Sequence, residues 1–155
     1  MEELKKEYNQ LKKKYNLPDF EQMDEEFEIR AIEMYRSGIL IKALLRAINN
    51  KLSIFMNYLE SIVNGQPQHI HALIEIKNTT DSEKEEMYEH YKKISILLHE
   101  NLVFDLKPEK EIAKQINKNW KEWKAIKEKE IKLLEIITDA WRRKEESPSR
   151  SEYAG

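Results

Sequence analysis

The chain has 155 residues, 36% charged and 40% apolar, with three glycines, four prolines, no cysteine and a formal net charge of −2. That composition is the composition of helices in one domain of ordinary size. It excludes disulfides, thiolate nucleophiles, zinc fingers and iron–sulfur sites, and the charge speaks against a globally basic nucleic-acid binder.

Met1-Glu2-Glu3-Leu4-Lys5-Lys6 lacks the apolar core of a signal peptide, and no run approaches the roughly eighteen apolar residues of a membrane span. The expectation is a soluble, cytoplasmic protein with no membrane partner and no cofactor. Leu4, Tyr8, Leu11 and Tyr15 recur at steps of four, three and four, which predicts a short amphipathic helix over residues 2–16, ended by Asn16-Leu17-Pro18. Asp19 is a fair N-cap for the next helix, and acidic residues in the first turn complement its dipole. Asp19, Glu21, Asp24, Glu25, Glu26 and Glu28 form the acidic pole of the sequence. It reads as a soluble helix start or, alternatively, as a docking patch for a basic partner.

The strongest signal is the stretch from Phe27 to Ile62. Phe27, Ala31, Met34, Gly38, Ile41, Leu45, Ile48, Leu52, Phe55, Leu59 and Ile62 follow at alternating steps of four and three, the seam of a packed helix. Lys42, Arg46, Asn49, Asn50, Ser53, Asn57 and Glu60 supply the face left for water. A straight helix of that length spans about 54 Å, against a radius of gyration of roughly 15 Å for a compact chain of this size. Either the protein is elongated or the helix bends at Ser37-Gly38. Gly38 fits a kink or a close approach of another backbone.

Asn64-Gly65-Gln66-Pro67 predicts the stop of the long helix. His69 to Lys77 fits a short helix or an irregular packed segment better than a lone strand, which would leave its backbone groups unpaired. His69 and His71, with His90 or His99, are the only potential metal ligands in a group. His90 and His99 face opposite sides of their helix, so surface histidines are the default and no metal is assigned. Thr80, Asp81 or Ser82 can cap the following helix, with Ser82 and Glu85 spaced as a capping box. Met87, Tyr91, Ile94, Leu98 and Leu102 read as its buried seam, widened by Leu97 and Phe104. Glu86 and His90 are spaced for a side-chain contact and do not form the Glu-x-x-His of di-iron bundles.

After Lys107-Pro108 a second long helix is predicted to about Lys144. Its apolar arc holds Ile112, Ile116, Trp123, Ile126, Leu134, Ile137 and Trp141. Lys114, Lys118, Lys121, Lys129 and Lys132 lie nearly opposite, with Trp120 toward the edge of the apolar face. Such a stripe can follow a phosphate backbone, yet Glu111, Glu122 and Glu128 lie on or beside it. Glu130 and Lys127 fall on or near the apolar arc and must pair if that face is buried. Residues 147–155 are small and polar and read as a disordered tail.

The sequence therefore predicts an all-α fold: an elongated bundle of about four helices in a single domain over residues 1–146, with the two long helices antiparallel. No catalytic motif, phosphate loop or metal set is present. The expected function is a non-catalytic helical association module, a homodimer or a subunit of a complex. The alternative is a nucleic-acid-associated protein using the lysine stripe.

Overall fold

A computed structural model describes residues 2–36, 38–65 and 70–143. The fold is all-α, with seven α-helices, one 3₁₀ turn and no strand among the described residues. The chain divides into two compact units, one of Met1–Ser53 with Ile96–Lys124 and one of Ile54–Ser95 with Ala125–Gly155. The expected disordered tail and His69 lie outside the described residues.

The first unit holds α1 (Glu2–Tyr15), α2 (Phe20–Phe27), a 3₁₀ turn (Ile29–Ala31), α3 (Ile32–Tyr35) and parts of three longer helices, α4 (Leu40–Asn64), α6 (Asp81–Phe104) and α7 (Glu109–Arg142). In α1, Leu4 and Tyr8 face inward, and the Tyr8 ring meets Phe20 edge-on at 5.4 Å. The Tyr8 hydroxyl donates to the Pro18 carbonyl at 2.6 Å; burial, helped by the Asp19 charge, pushes this phenol far above the usual tyrosine range. Asp19 sits at the N-cap of α2 with extended backbone, but its carboxylate pairs with Lys12 and does not cap the helix.

The expectation of four helices fails chiefly at the predicted helix from Phe27 to Ile62, which is broken twice. Glu28 adopts a left-handed conformation (φ 55°) that closes α2, its N–H bonded to the Asp24 carbonyl at 2.8 Å. The Asp24 carboxylate then accepts from the Arg30 backbone N–H at 2.8 Å and from its Nε at 2.7 Å, which fixes the turn. The second break has Arg36 extended and Gly38 at φ +95° before α4 begins. A Cβ at Gly38 would meet no atom within 4 Å. The glycine therefore serves backbone conformation and not close approach. Met34, a member of the predicted seam, is 86% exposed.

The direction of the long helices also differs from expectation. In this unit Arg46 reaches Asp105 at 3.2 Å and Asn49 meets Asn101 at 2.8 Å, so α4 and α6 are antiparallel. The turn after Phe104 reverses α6 into α7, so α4 and α7 run in the same direction here. The apolar pattern fixes which faces pack but not the order of packing, and α6 takes the antiparallel place foreseen for α7.

The second unit holds the end of α4, α5 (Ile70–Lys77), the start of α6 and the end of α7. Its core joins Leu59 and Ile62 of α4, Met87 of α6, and Leu133 and Ile137 of α7. Asn64 ends α4 as the sequence predicts, followed by Gly65 at φ +70°. The ambiguous segment is helical: α5 places Glu75 to accept from Ser61 and from Trp141 Nε1, the latter at 3.2 Å. Asn78 donates to the Ala140 carbonyl at 2.9 Å.

The cap of α6 is a reciprocal box two residues earlier than Ser82 and Glu85. Glu83 N–H donates to the Thr80 hydroxyl at 3.1 Å, and Thr80 N–H donates to the Glu83 carboxylate at 2.9 Å. Burial pushes the Glu83 carboxyl up, but the Thr80 hydrogen bonds and the Arg143 guanidinium outweigh it and hold the group below the usual range. A depressed folded-state value means stabilisation that is full above the unfolded carboxylate's pKa and lost as pH falls through the folded one. Glu83→Gln is therefore expected to cost about 1 kcal/mol at neutral pH and to flatten the fall in melting temperature between about pH 5 and about pH 3. Thermal melts of both proteins across that range check it.

Candidate functional site: polar seam layers and an exposed apolar face

The seams found in α6 and α7 contain polar residues. In α6 the buried positions are Met87, His90, Ile94, Leu97 and Asn101, at steps of three and four. In α7 Ile112, Ile116, Asn119, Trp123, Ile126, Glu130, Leu133, Ile137 and Ala140 are buried at steps of four and three, with Ala113 and Gln115 buried beside them. This is the pattern of helices packed along one seam. The apolar reading passed over the polar members: in α6 it chose Leu102 in place of Asn101, and in α7 it took Trp141 in place of Ala140, and both chosen residues are exposed.

The polar members meet each other. In the first unit Asn101 and Asn119 form a reciprocal amide pair, each Nδ2 donating to the other's Oδ1 at 2.9 Å. Gln115 Nε2 donates to Asn101 Oδ1 at 2.8 Å, and Asn101 Nδ2 also donates to Asn49 Oδ1 at 2.8 Å. Asn49, expected on the wet face of the central helix, is thus half-buried and part of this network. In the second unit His90 Nε2 lies 3.1 Å from Glu130 Oε1, with both side chains almost fully buried. Glu130 Oε2 has no hydrogen-bond partner among the described residues.

Glu130 thus pairs with His90, 40 positions away, and not with Lys127 in the same helix. Imidazole beside carboxylate can serve as a base, and an open groove of about 590 Å³ lined by His90, Glu86, Glu89, Lys93 and Lys129 runs alongside. The pair also occupies seam positions of both helices, which accounts for its burial by packing alone. His71 lies with its ring 5.3 Å from Trp141. No group of three potential metal ligands occurs among the described residues.

The predicted charged sites are placed as follows. In the first unit Lys114 lies 3.6 Å from Glu111, and Lys118 lies 2.8 Å from Glu100, whose hydrogen bond raises the lysine's pKa; Lys121 is exposed. In the second, Lys129 lies 3.6 Å from Glu86, and Lys132 is exposed. Trp120 is partly buried, its ring 6.2 Å from Phe27.

The acidic residues also find cations within their own unit: Asp19 meets Lys12, Glu21 meets Lys5 and Arg30, Asp24 meets Arg30, and Glu28 lies 3.6 Å from Lys51. The paired hydrogen bonds from Lys5 and Arg30 hold the Glu21 carboxyl below its usual range. Glu25 is exposed. Most of both charged patches is answered internally, which weakens each as a docking surface.

The rotation of the α6 seam leaves apolar residues outside. Ile96, Leu102 and Val103 are each more than half exposed, and Leu106 in the following turn is 85% exposed. With about 100° per residue the three in α6 fall within an arc of about 120°, which also holds Ser95 and His99, roughly opposite Ile94, Leu97 and Asn101. Sequence reasoning assigned Leu102 to the core and did not single out the other three; the signal available was an excess of apolar residues over one helical seam. No helix among the described residues is long and apolar enough to cross a membrane. Comparison with protein-family models, with curated proteins and with solved structures finds no match for this chain.

Proposed function

We propose that the protein is a non-catalytic helical association module that self-associates through the outer face of α6 in the first unit. The observation that carries this reading is the set of exposed apolar residues Ile96, Leu102, Val103 and Leu106 on the last turns of α6 and in the turn after it. Clustered apolar surface marks contact sites more often than scattered single residues do. The length of the central helix no longer supports it, since Ile41, Leu45, Ile48, Leu52, Leu59 and Ile62 are all buried within the chain itself.

A strip on one helix suits a two-fold contact, in which the same patch of each copy meets the other. Lys107, its ammonium 4.4 Å from the Phe104 ring, gives the patch a polar edge, the anatomy of an interface rim, while the exposed His99 lies within it. The His90 and Glu130 pair fits the same reading as a packing layer, used to fix the register of α6 on α7.

The strip is tested by Leu102→Glu combined with Val103→Glu. Both sites are solvent-exposed, so the melting temperature compared at concentrations below the parent's dissociation constant should move by less than about 3 °C, the shift of a surface change under about 0.5 kcal/mol. Sedimentation equilibrium is expected to show a dissociation constant raised by about a hundredfold or more, the effect of losing two apolar anchors. A variant that associates as tightly as the parent would remove this surface from the proposal.

A further inference from the structure

We infer that the groove formed by α2, the 3₁₀ turn, α3 and α4 in the first unit binds a small amphiphile with an apolar chain and a carboxylate head. This inference is independent of the association surface, which involves other residues. The groove encloses about 490 Å³, within the roughly 300–1,000 Å³ of small-molecule sites. Its walls are the side chains of Phe27, Ala31, Ile32, Ala43 and Ala47. Ala43 and Ala47 lie one helical turn apart on α4, and their short side chains leave the space that a longer apolar chain would fill.

The polar lining is cationic on balance. Arg36 and Arg46 both border the groove, with Asn50 and Glu28. Among the described residues the Arg36 guanidinium donates to Glu7 at 2.9 Å and that of Arg46 to Asp105 at 3.2 Å. A guanidinium has five donors in a planar fork suited to two-point recognition of a carboxylate. Each arginine therefore keeps donors for a ligand without giving up its present partner. Glu28, the one carboxylate in the lining, is already beside Lys51 at 3.6 Å. An apolar trough bordered by two arginines matches a fatty-acid-like anion better than a neutral lipid or a cation.

The groove carries its own reporter. Phe27 lies 4.6 Å from the Trp123 ring and 6.2 Å from the Trp120 ring, centre to centre. Occupation of the groove beside Phe27 should alter tryptophan emission.

The experiment titrates the full chain with decanoate and with decanol while recording that emission, and repeats both titrations with Arg36→Gln/Arg46→Gln and with Ala47→Leu. Decanoate is expected to saturate at one equivalent per chain and to bind at least about tenfold more tightly than decanol, the effect of a charged hydrogen bond. The double arginine variant should bring decanoate down to the decanol level. Ala47→Leu should weaken both ligands, because it fills the trough. Equal affinity for the two ligands, no saturation below the concentration at which decanoate forms micelles, or undiminished decanoate binding by the double arginine variant would each overturn the inference. The two arginines border the groove outside the core, so the outcome does not depend on whether Ala47→Leu folds.

Discussion

Glu130→Ala is expected to destabilise the protein by about 3 kcal/mol, because it leaves the buried His90 imidazole without its acceptor. The second substitution His90→Leu, made together with Glu130→Leu, should recover most of that loss. Replacing both partners by apolar groups of similar size removes the desolvation cost along with the bond. The cycle of Glu130→Leu, His90→Leu and the double, measured by urea unfolding alongside Glu130→Ala, separates this account from a general intolerance of change at the site. A double variant less stable than Glu130→Ala would mean that the pair contributes net stability beyond register, and the packing-layer interpretation would fail.

Asn101→Ala is expected to cost about 3–4 kcal/mol, comparable to the loss at Glu130. Asn101 is completely buried and stands at the centre of the amide network, donating to Asn49 and Asn119 and accepting from Gln115 and Asn119. Its removal takes a partner from three side chains at once, two of them buried, in addition to opening a cavity; Asn119 keeps its bond to the Gln115 carbonyl at 2.7 Å. Asn49→Ala is the control: Asn49 is only half-buried and accepts a single one of these bonds, so its loss should cost about 1 kcal/mol. Equal losses at the two positions would show that the network does not act through Asn101.

The central seam of α4 was legible because every one of its buried positions is apolar, so Ile41, Leu45, Ile48, Leu52, Leu59 and Ile62 could be chosen by spacing alone. The same method slid off the seam of α6. Two of the five buried positions there are His90 and Asn101, and an apolar pattern passes over them to Tyr91 and Leu102. Their partners are Glu130 and Asn119, which come together only once the antiparallel register is known, and that register is a tertiary property. The break between α2 and α4 was half legible. Helical phase happens to persist from Phe27 to Gly38, so periodicity hides an interruption that only Gly38 betrays, while the left-handed Glu28 carries no sequence signal for its conformation.

The candidate contact surfaces show the same division. The lysine stripe and the acidic cluster were visible as patterns of residue type. Their neutralisation by Glu100, Glu86, Lys5, Lys12 and Arg30 depends on contacts across helices that charge counting does not reach. The exposed strip on α6 was missed for the reason its seam was missed: Leu102 was counted as core, so no apolar face remained to be explained.

The most direct test of the association proposal is the absolute mass of the purified protein in solution, measured by light scattering at low and high salt with absorbance read for bound nucleic acid. The account predicts twice the 18.7 kDa of one chain, unchanged by salt and free of nucleic acid, since an apolar contact is not screened as a charged one is. A single-chain mass at every concentration tested, or nucleic acid bound at low salt and shed at high salt, would contradict it; the second result would pass the function to Lys114, Lys118, Lys121, Lys129 and Lys132.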